Sequence, residues 1–342
     1  MIIAVLFVVI RILAPPIILQ KINNYLAVFS ENYEGHIDDF GLSLWRGAYR
    51  LEKLSLKTKA SPVKTFATAA DVDVSVAWRE LFSGRILTDV VVTNLNFIAD
   101  AMTAKPAKED PKKSVGEASD AGKKLFPVEI ERIELRDSRL EYSDLHVFVD
   151  QIEGRLSHVS GSEQNPISLM TFRGFFQGKS ALKVVGDIDM IHKPVDWVIS
   201  AELQRFNLAE ASSLITRYVP LTFKKGNLDL YTEVKSEKSR ISGYLKPFVK
   251  DAEVIGDDKD FKSIKHFGVE ITVAFLNLFF RSSRDHILAT KVLFKYENKK
   301  FDWNINEVLS ELFKNGYREP LPRGVENVLT LKTKETTERK IK

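Results

Sequence analysis

The sequence predicts a mainly β protein with an apolar helix at its N-terminus. Three observations predict this class. Apolar and polar residues alternate with a period of two over much of the chain, short polar stretches separate the alternating runs, and residues 1–19 carry a single charge, Arg11. Composition agrees: of 342 residues 44% are apolar and 28% charged, which suits a folded chain long enough to bury a core. Lys and Arg number 50 against 46 Asp and Glu, a net charge of +4 with no concentrated basic stretch, so no nucleic-acid partner is expected. Cysteine is absent, which excludes disulfides, thiolate metal sites and cysteine nucleophiles.

Residues 1–20 read as an uncleaved transmembrane anchor. About twenty helical residues span roughly 30 Å, enough for a hydrocarbon core. Arg11 costs about 2.5–3.5 kcal/mol near the centre, which the apolar residues around it offset. No basic stretch precedes the apolar run and no small-x-small site follows it, which argues against a cleaved leader. Pro15 and Pro16 are expected to kink or end the helix.

A membrane-proximal β module is expected over residues 21–101, a flexible linker or long loop over 102–125, a second β domain over 126–331 and a polar tail over 332–342. The clearest strands are Val72–Val76, Leu182–Met190, Val195–Leu203, Leu228–Val234 and Ile241–Leu245, each with one apolar and one polar face. Polar stretches at Ser160–Pro166, Gln177–Lys179, Lys224–Asn227 and Ser236–Ser239 read as hairpin connections. Two or three short amphipathic helices are expected, at Asn207–Tyr218, Ile264–Phe280 and near Val308–Phe313.

So many alternating strands create a long apolar face that so few helices cannot cover. Either the sheet closes on itself, or that face lines a groove for something apolar. The residues that would line it are Leu54, Leu56, Val72, Val74, Val76, Ile133, Leu135, Leu140, Tyr142, Leu182, Val184, Ile188, Trp197, Ile199, Leu203, Leu228, Leu230, Ile241 and Leu245.

Chemistry-bearing motifs are few. Gly174–Ser180 (GFFQGKS) lacks the spacing of a phosphate loop, and a turn at Gln177–Gly178 explains it better. The six histidines do not pair at metal spacing, and no GxSxG elbow occurs. No catalytic residue, metal site or cofactor is expected, and the protein is read as not an enzyme. Two clusters read as structural: Trp45, Arg46 and Gly47, as a buried indole, stacked guanidinium and tight turn, and Gly243, Tyr244, Lys246 and Pro247, as a strand end.

Several segments taken in order carry a resemblance: PPIILQKINNYL at Pro15–Leu26, SLWRGAY at Ser43–Tyr49, LEKLSL at Leu51–Leu56, FPVEIERIELRDSRLEY at Phe126–Tyr142 and GNLDLYTEVKSEKSRISGYLKPFV at Gly226–Val249. Together they resemble the AsmA-like superfamily, in its bacterial branch of unknown function, with Ser138 where that branch usually has glycine. The resemblance implies a long curved antiparallel sheet forming a taco-like groove, related in architecture to chorein-type bridge proteins. It implies a single-pass protein of the bacterial inner membrane, with its bulk in the periplasm, whose partners are the bilayer and phospholipid. Some fourteen strands ~4.8 Å apart would give a groove of roughly 65 Å, so partial bridging, lipid handover or oligomerisation is expected rather than a full span. The expected function is phospholipid binding and lipid transfer or outer-membrane lipid homeostasis. The alternative is a non-enzymatic scaffold with a closed β core that assists envelope protein assembly, with helix Ile264–Phe280 available to a partner.

Overall fold

The structure is a computed structural model and describes residues 2–43, 45–76, 87–100, 129–159, 167–191, 194–215, 222–255, 287–289, 291–297, 300–303 and 322–331. The fold is mainly β, in two compact units, Met1–Gly178 and Lys179–Lys342.

Unit 1 begins with helix α1 (Ile2–Val28). It continues with β1 (Tyr33–His36), β2 (Asp39–Ser43), β3 (Ala48–Thr58), β4 (Thr65–Val76), β5 (Leu87–Thr93), β6 (Asn96–Ala99), β7 (Glu129–Tyr142), β8 (Val147–Ser157) and β9 (Ile167–Phe176). The strand order is β1-β3-β4-β5-β7-β8-β9, with β2 beside β3 and β6 beside β4 and β7.

Two expectations need correction. Of the two outcomes expected at Pro15 and Pro16, a kink or an end, the helix does not take the second: it runs on to Val28. Proline removes backbone donors there, yet the following turns are held by packing: Ile18, Leu19, Ile22 and buried Leu26 sit on a core of Ile37, Phe40, Leu51, Ala69, Val72, Val74 and Val90. The sheet is also mixed rather than wholly antiparallel, since β7 runs parallel to β5 and β6. Parallel neighbours need a connection of about a dozen residues or more, and residues 100–128 supply that length. The strands before and after residues 102–125 pair within unit 1, which ends at Gly178.

The outer face of unit 1 carries cross-strand ion pairs: Asp73 with Arg46 and Arg50, Asp89 with Arg132, Glu134 with Arg155, and Glu153 with Arg173. Opposite charges facing each other across strands stabilise a sheet by ~0.2–1 kcal/mol each. They also mark that face as the wet one.

Asn23 joins α1 to the sheet. Its side-chain amide donates to the Ile37 carbonyl at 2.9 Å, and its carbonyl oxygen accepts from the Ile37 N–H at 2.8 Å. Ile37 is fully buried in the β1–β2 turn, so both of its backbone groups depend on this one side chain. Asn23→Ala is expected to cost about 2–3 kcal/mol, two unmade hydrogen bonds at ~1–1.5 kcal/mol each, read as a lower denaturant midpoint of the full chain.

Unit 2 contains β10 (Ser180–Asp189), β11 (Trp197–Asn207), helix α2 (Leu208–Ile215), β12 (Thr222–Glu237), β13 (Arg240–Ile255), β14 (Ile287–Ala289), β15 (Val292–Glu297) and β16 (Lys300–Trp303). The order is β10-β11-β12-β13-β15-β16, with β14 beside β13. All its pairings are antiparallel. The expected turn at Ser236–Ser239 is present, with Lys238 and Ser239 at φ 52 and 65, as a tight hairpin requires. The expected turn at Lys224–Asn227 is not. Strand β12 runs straight through it, and the extra residues are absorbed as two slips in its pairing with β13.

Helix α2 lies within the expected Asn207–Tyr218. The helices expected at Ile264–Phe280 and Val308–Phe313, the turn Ser160–Pro166 and the tail 332–342 lie outside the described residues. Among the described residues no helix is long and apolar enough to cross a membrane. The side chains of residues 1–12, which hold most of the apolar run of the expected anchor, fall outside that description.

Candidate functional site

In unit 1 the register aligns the predicted apolar residues on one face. Tyr49, Val74, Val90, Ile133, Leu156 and Met170 form one row across six strands, and Leu51, Val72, Val92 and Leu135 form the next. Burial along these rows is uneven. Val72 and Val74 are 5% and 0% exposed, inside the core that α1 covers, and Leu54 and Ile133 pack against that core. These four are therefore walls of a closed core and not of an open groove. Leu56, Val76, Leu135 and Tyr142 are half-buried, and Leu140 is 47% exposed. The face is sealed beneath the helix and opens toward β7–β9.

Unit 2 has its own aliphatic face. Leu182, Leu203 and Leu230 form one row, Gly186, Ile199 and Val234 another, and Ile188 with Trp197 a third. Val184 faces Ala201, Leu228 faces Val249, Thr232 faces Leu245, and Ser236 faces Ile241. Every predicted lining residue of this unit is half-buried, and none is closed off. Leu245 stands opposite Val292 and Leu228 opposite Val249 in the neighbouring strands, and both valines are buried.

The opposite, polar face of these strands is buried in part. Glu233 is 1% exposed, Lys246 0%, Tyr244 2% and Tyr231 4%. Over Glu233, Lys246 and Tyr244 lies a segment without regular secondary structure, residues 322–331. Its Val328 N–H donates to Glu233 Oε2 at 3.2 Å, and its Glu326 N–H donates to Tyr244 Oη at 2.8 Å. The Glu326 carboxylate takes Lys291 Nζ at 2.6 Å and Lys246 Nζ at 3.3 Å. Burial pushes the Tyr244 hydroxyl well above its ordinary pKa. Burial also acts to raise Glu326, but the hydrogen bonds and charges of Lys291 and Lys246 outweigh it and hold the carboxyl below its ordinary value. Buried charges of this kind require such partners. Sequence reasoning missed this cluster because its cover lies some 80–95 residues away in the chain. The available signal was that Tyr244 and Lys246 fall in the GYLKP stretch.

The GYLKP residues lie inside β13 and not at a strand end. Beyond β13, β15 pairs with Ile241–Leu245 and β14 with Phe248–Lys250. Pro247, which has no N–H, sits in the gap between those two partners. Gly243 permits a close approach of strands: a Cβ there would lie 2.3 Å from the Glu233 carbonyl oxygen. Trp45 is 92% exposed, so the expected buried indole is corrected. Arg46 reaches Asp73 at 3.3 Å, and Gly47, at φ 59, closes the turn. At Gln177–Gly178 the φ values of 51 and 71 make a turn, in place of a phosphate loop.

No family model matches the chain, and no curated protein matches it. The AsmA-like resemblance rests on its residues alone.

Proposed function

We propose that this is a membrane-anchored protein of the bacterial cell envelope that holds phospholipid acyl chains on its aliphatic sheet faces and contributes to lipid transfer. One observation carries the reading. Unit 2 places Lys246, Glu233, Tyr231 and Tyr244 under cover on one face, while Leu182, Ile199, Leu203, Leu230, Ile241 and Leu245 on the other stay partly exposed. A sheet folding for stability alone buries the aliphatic side, and a contiguous apolar surface left open marks a binding site. Each methylene an acyl chain buries there contributes about 0.8 kcal/mol. The reaction is physical: no bond is made, and lipids exchange along an even apolar surface while head groups stay in water.

The anchor is the upstream part of α1, whose 27 residues extend about 40 Å. Its downstream part is fixed in the core of unit 1. The inner-membrane location and the periplasmic body are carried over from the AsmA-like resemblance. The closed core of unit 1 favours a second reading, a scaffold that acts through protein contacts.

Native mass spectrometry of the full chain, released gently from detergent, separates the two. Co-purifying phospholipid, together with uptake of a fluorescent phospholipid, is the expected result. A protein that carries no lipid and takes up none is the scaffold. The full chain is needed, because removing residues 1–21 would strip Ile18 and Leu19 from the core.

A further inference from the structure

Unit 2 contains a cavity of about 280 Å³ lined by Arg205, Asn227, Asp229, Phe248, Lys250 and Arg323. It lies on the polar side of the sheet, where Asp229 faces Phe248 and Asn227 faces Lys250, away from the aliphatic rows. Small-molecule sites run from about 300 Å³ upward. This one suits a single charged group with a few atoms attached.

Three cationic residues line it, each from a different feature. Arg205 sits at φ 55 where the pairing of β11 with β12 slips between Leu203 and Phe206. Lys250 faces Asn227, just past a slip in the pairing of β12 with β13. Arg323 enters from the covering segment, its guanidinium 5.9 Å from the centre of the Phe248 ring. Strand irregularities re-aim side chains and collect beside binding sites. Here two of them border the cavity, at Arg205 and beside Lys250.

Asp229 pairs with one of the three. Its Oδ1 accepts from the backbone N–H of Arg205 at 2.8 Å, and its Oδ2 stands 3.6 Å from Arg323 Nη1. A single lining carboxylate faces three cations. Outside the lining, Asp251 is a distant 3.9 Å from Lys250 Nζ. No acidic partner of the Arg205 guanidinium is present among the described residues. Such a surplus of positive charge, with guanidinium forks and an aromatic wall, matches a doubly charged tetrahedral oxyanion, which offers three oxygens to several donors, better than a lone singly charged carboxylate.

We infer that this cavity binds a phosphate ester, its oxyanion between Arg205, Lys250 and Arg323 and its organic part against Phe248. The ester is either a lipid head group or a soluble phosphorylated compound. The site is on the other side of the sheet from the acyl-chain face, so it stands or falls separately from the lipid reading.

Calorimetric titration of the full chain in detergent tests it, with inorganic phosphate, glycerol 3-phosphate and dihexanoyl phosphatidic acid below its micellar concentration. Saturable binding of at least one phosphate is expected. It weakens tenfold or more when Arg205→Gln and Lys250→Gln are combined. The pair Lys224→Gln and Lys225→Gln, which removes equal charge outside the cavity, leaves it intact. Tighter binding of dihexanoyl phosphatidic acid than of glycerol 3-phosphate assigns a lipid head group, and the reverse or equality assigns a soluble ester. Arg205 and Lys250 are exposed, and the two single variants, with melting curves, guard against a folding artefact. No saturable binding to the unaltered protein, or binding that the Arg205 and Lys250 variants leave unchanged, overturns the inference.

Discussion

Placing glutamate at both Leu203 and Leu230 is expected to abolish phospholipid uptake and leave the protein folded. The two residues face each other across β11 and β12, and Leu182 continues the row. All three are half-buried. A carboxylate at such a place keeps much of its hydration, so the folding cost is about 1 kcal/mol per site, the usual size for a substitution that strands no buried charge. The guest loses far more. An acyl chain crossing the row would have to leave contact over some four to six methylenes, about 3–5 kcal/mol. That is a hundredfold or greater loss of affinity. Leu169→Glu is the control. It adds one of the two charges at a residue 49% exposed, beside Ser157 on the other face of unit 1. Uptake of fluorescent phospholipid should vanish in the double variant and persist in the control, with melting temperatures close to the parent. Uptake that survives the double variant removes the aliphatic face from the mechanism.

How this face stands open was only half legible in the sequence. Alternation located β4 and β10–β13 because a period of two is a direct consequence of the pleat, and the pairings then placed the named residues in common rows. Alternation also says which residues share a side, and nothing about what lies over that side. Asp229, Tyr231, Glu233 and Lys235 looked like a solvated edge of β12 because they are polar. Two of them, Tyr231 and Glu233, are buried, since a distant segment supplies an amide and Glu326 meets the neighbouring Lys246 and Lys291. The reverse holds at Val72 and Val74, where the cover is α1, a helix that continues past the prolines expected to kink or end it. Local signals misled twice more. Gly226 and its polar neighbours resemble a turn, yet long-range pairing with β13 keeps the strand going. Trp45 suggested burial by its size, while its place at the tip of a turn leaves it in the open.

The covering segment should be the least acid-stable part of unit 2, and Lys246 should be the residue on which it most depends. Lys246 is fully buried and bonds Glu326, which is itself largely enclosed. Lys246→Ala leaves that carboxylate with Lys291 alone and opens a void where the methylenes lay. Breaking a buried pair from one side costs about 3–5 kcal/mol. Lys246→Met keeps the volume and loses the charge, so its cost should be smaller, and Lys295→Ala, at an exposed position of β15, should cost little. The pH dependence has a definite sign. The folded pKa of Glu326 lies below its ordinary 4.5. Its ionised form therefore stabilises the covered state above about pH 4.5, and that contribution is lost as pH falls through the folded value. Hydrogen exchange at the amides of Glu326 and Val328, which donate to Tyr244 and Glu233, reads the segment directly. Exchange should accelerate on acidification below pH 4.5, beyond the intrinsic trend, in the parent protein. Glu326→Gln should exchange faster at neutral pH and lose that added acid response. If Lys246→Ala melts with Lys295→Ala, or if acid leaves both amides protected, the charges under the segment do not hold it. The half-exposed aliphatic face would then need another explanation, because the buried polar side would no longer be what stabilises the sheet in this orientation.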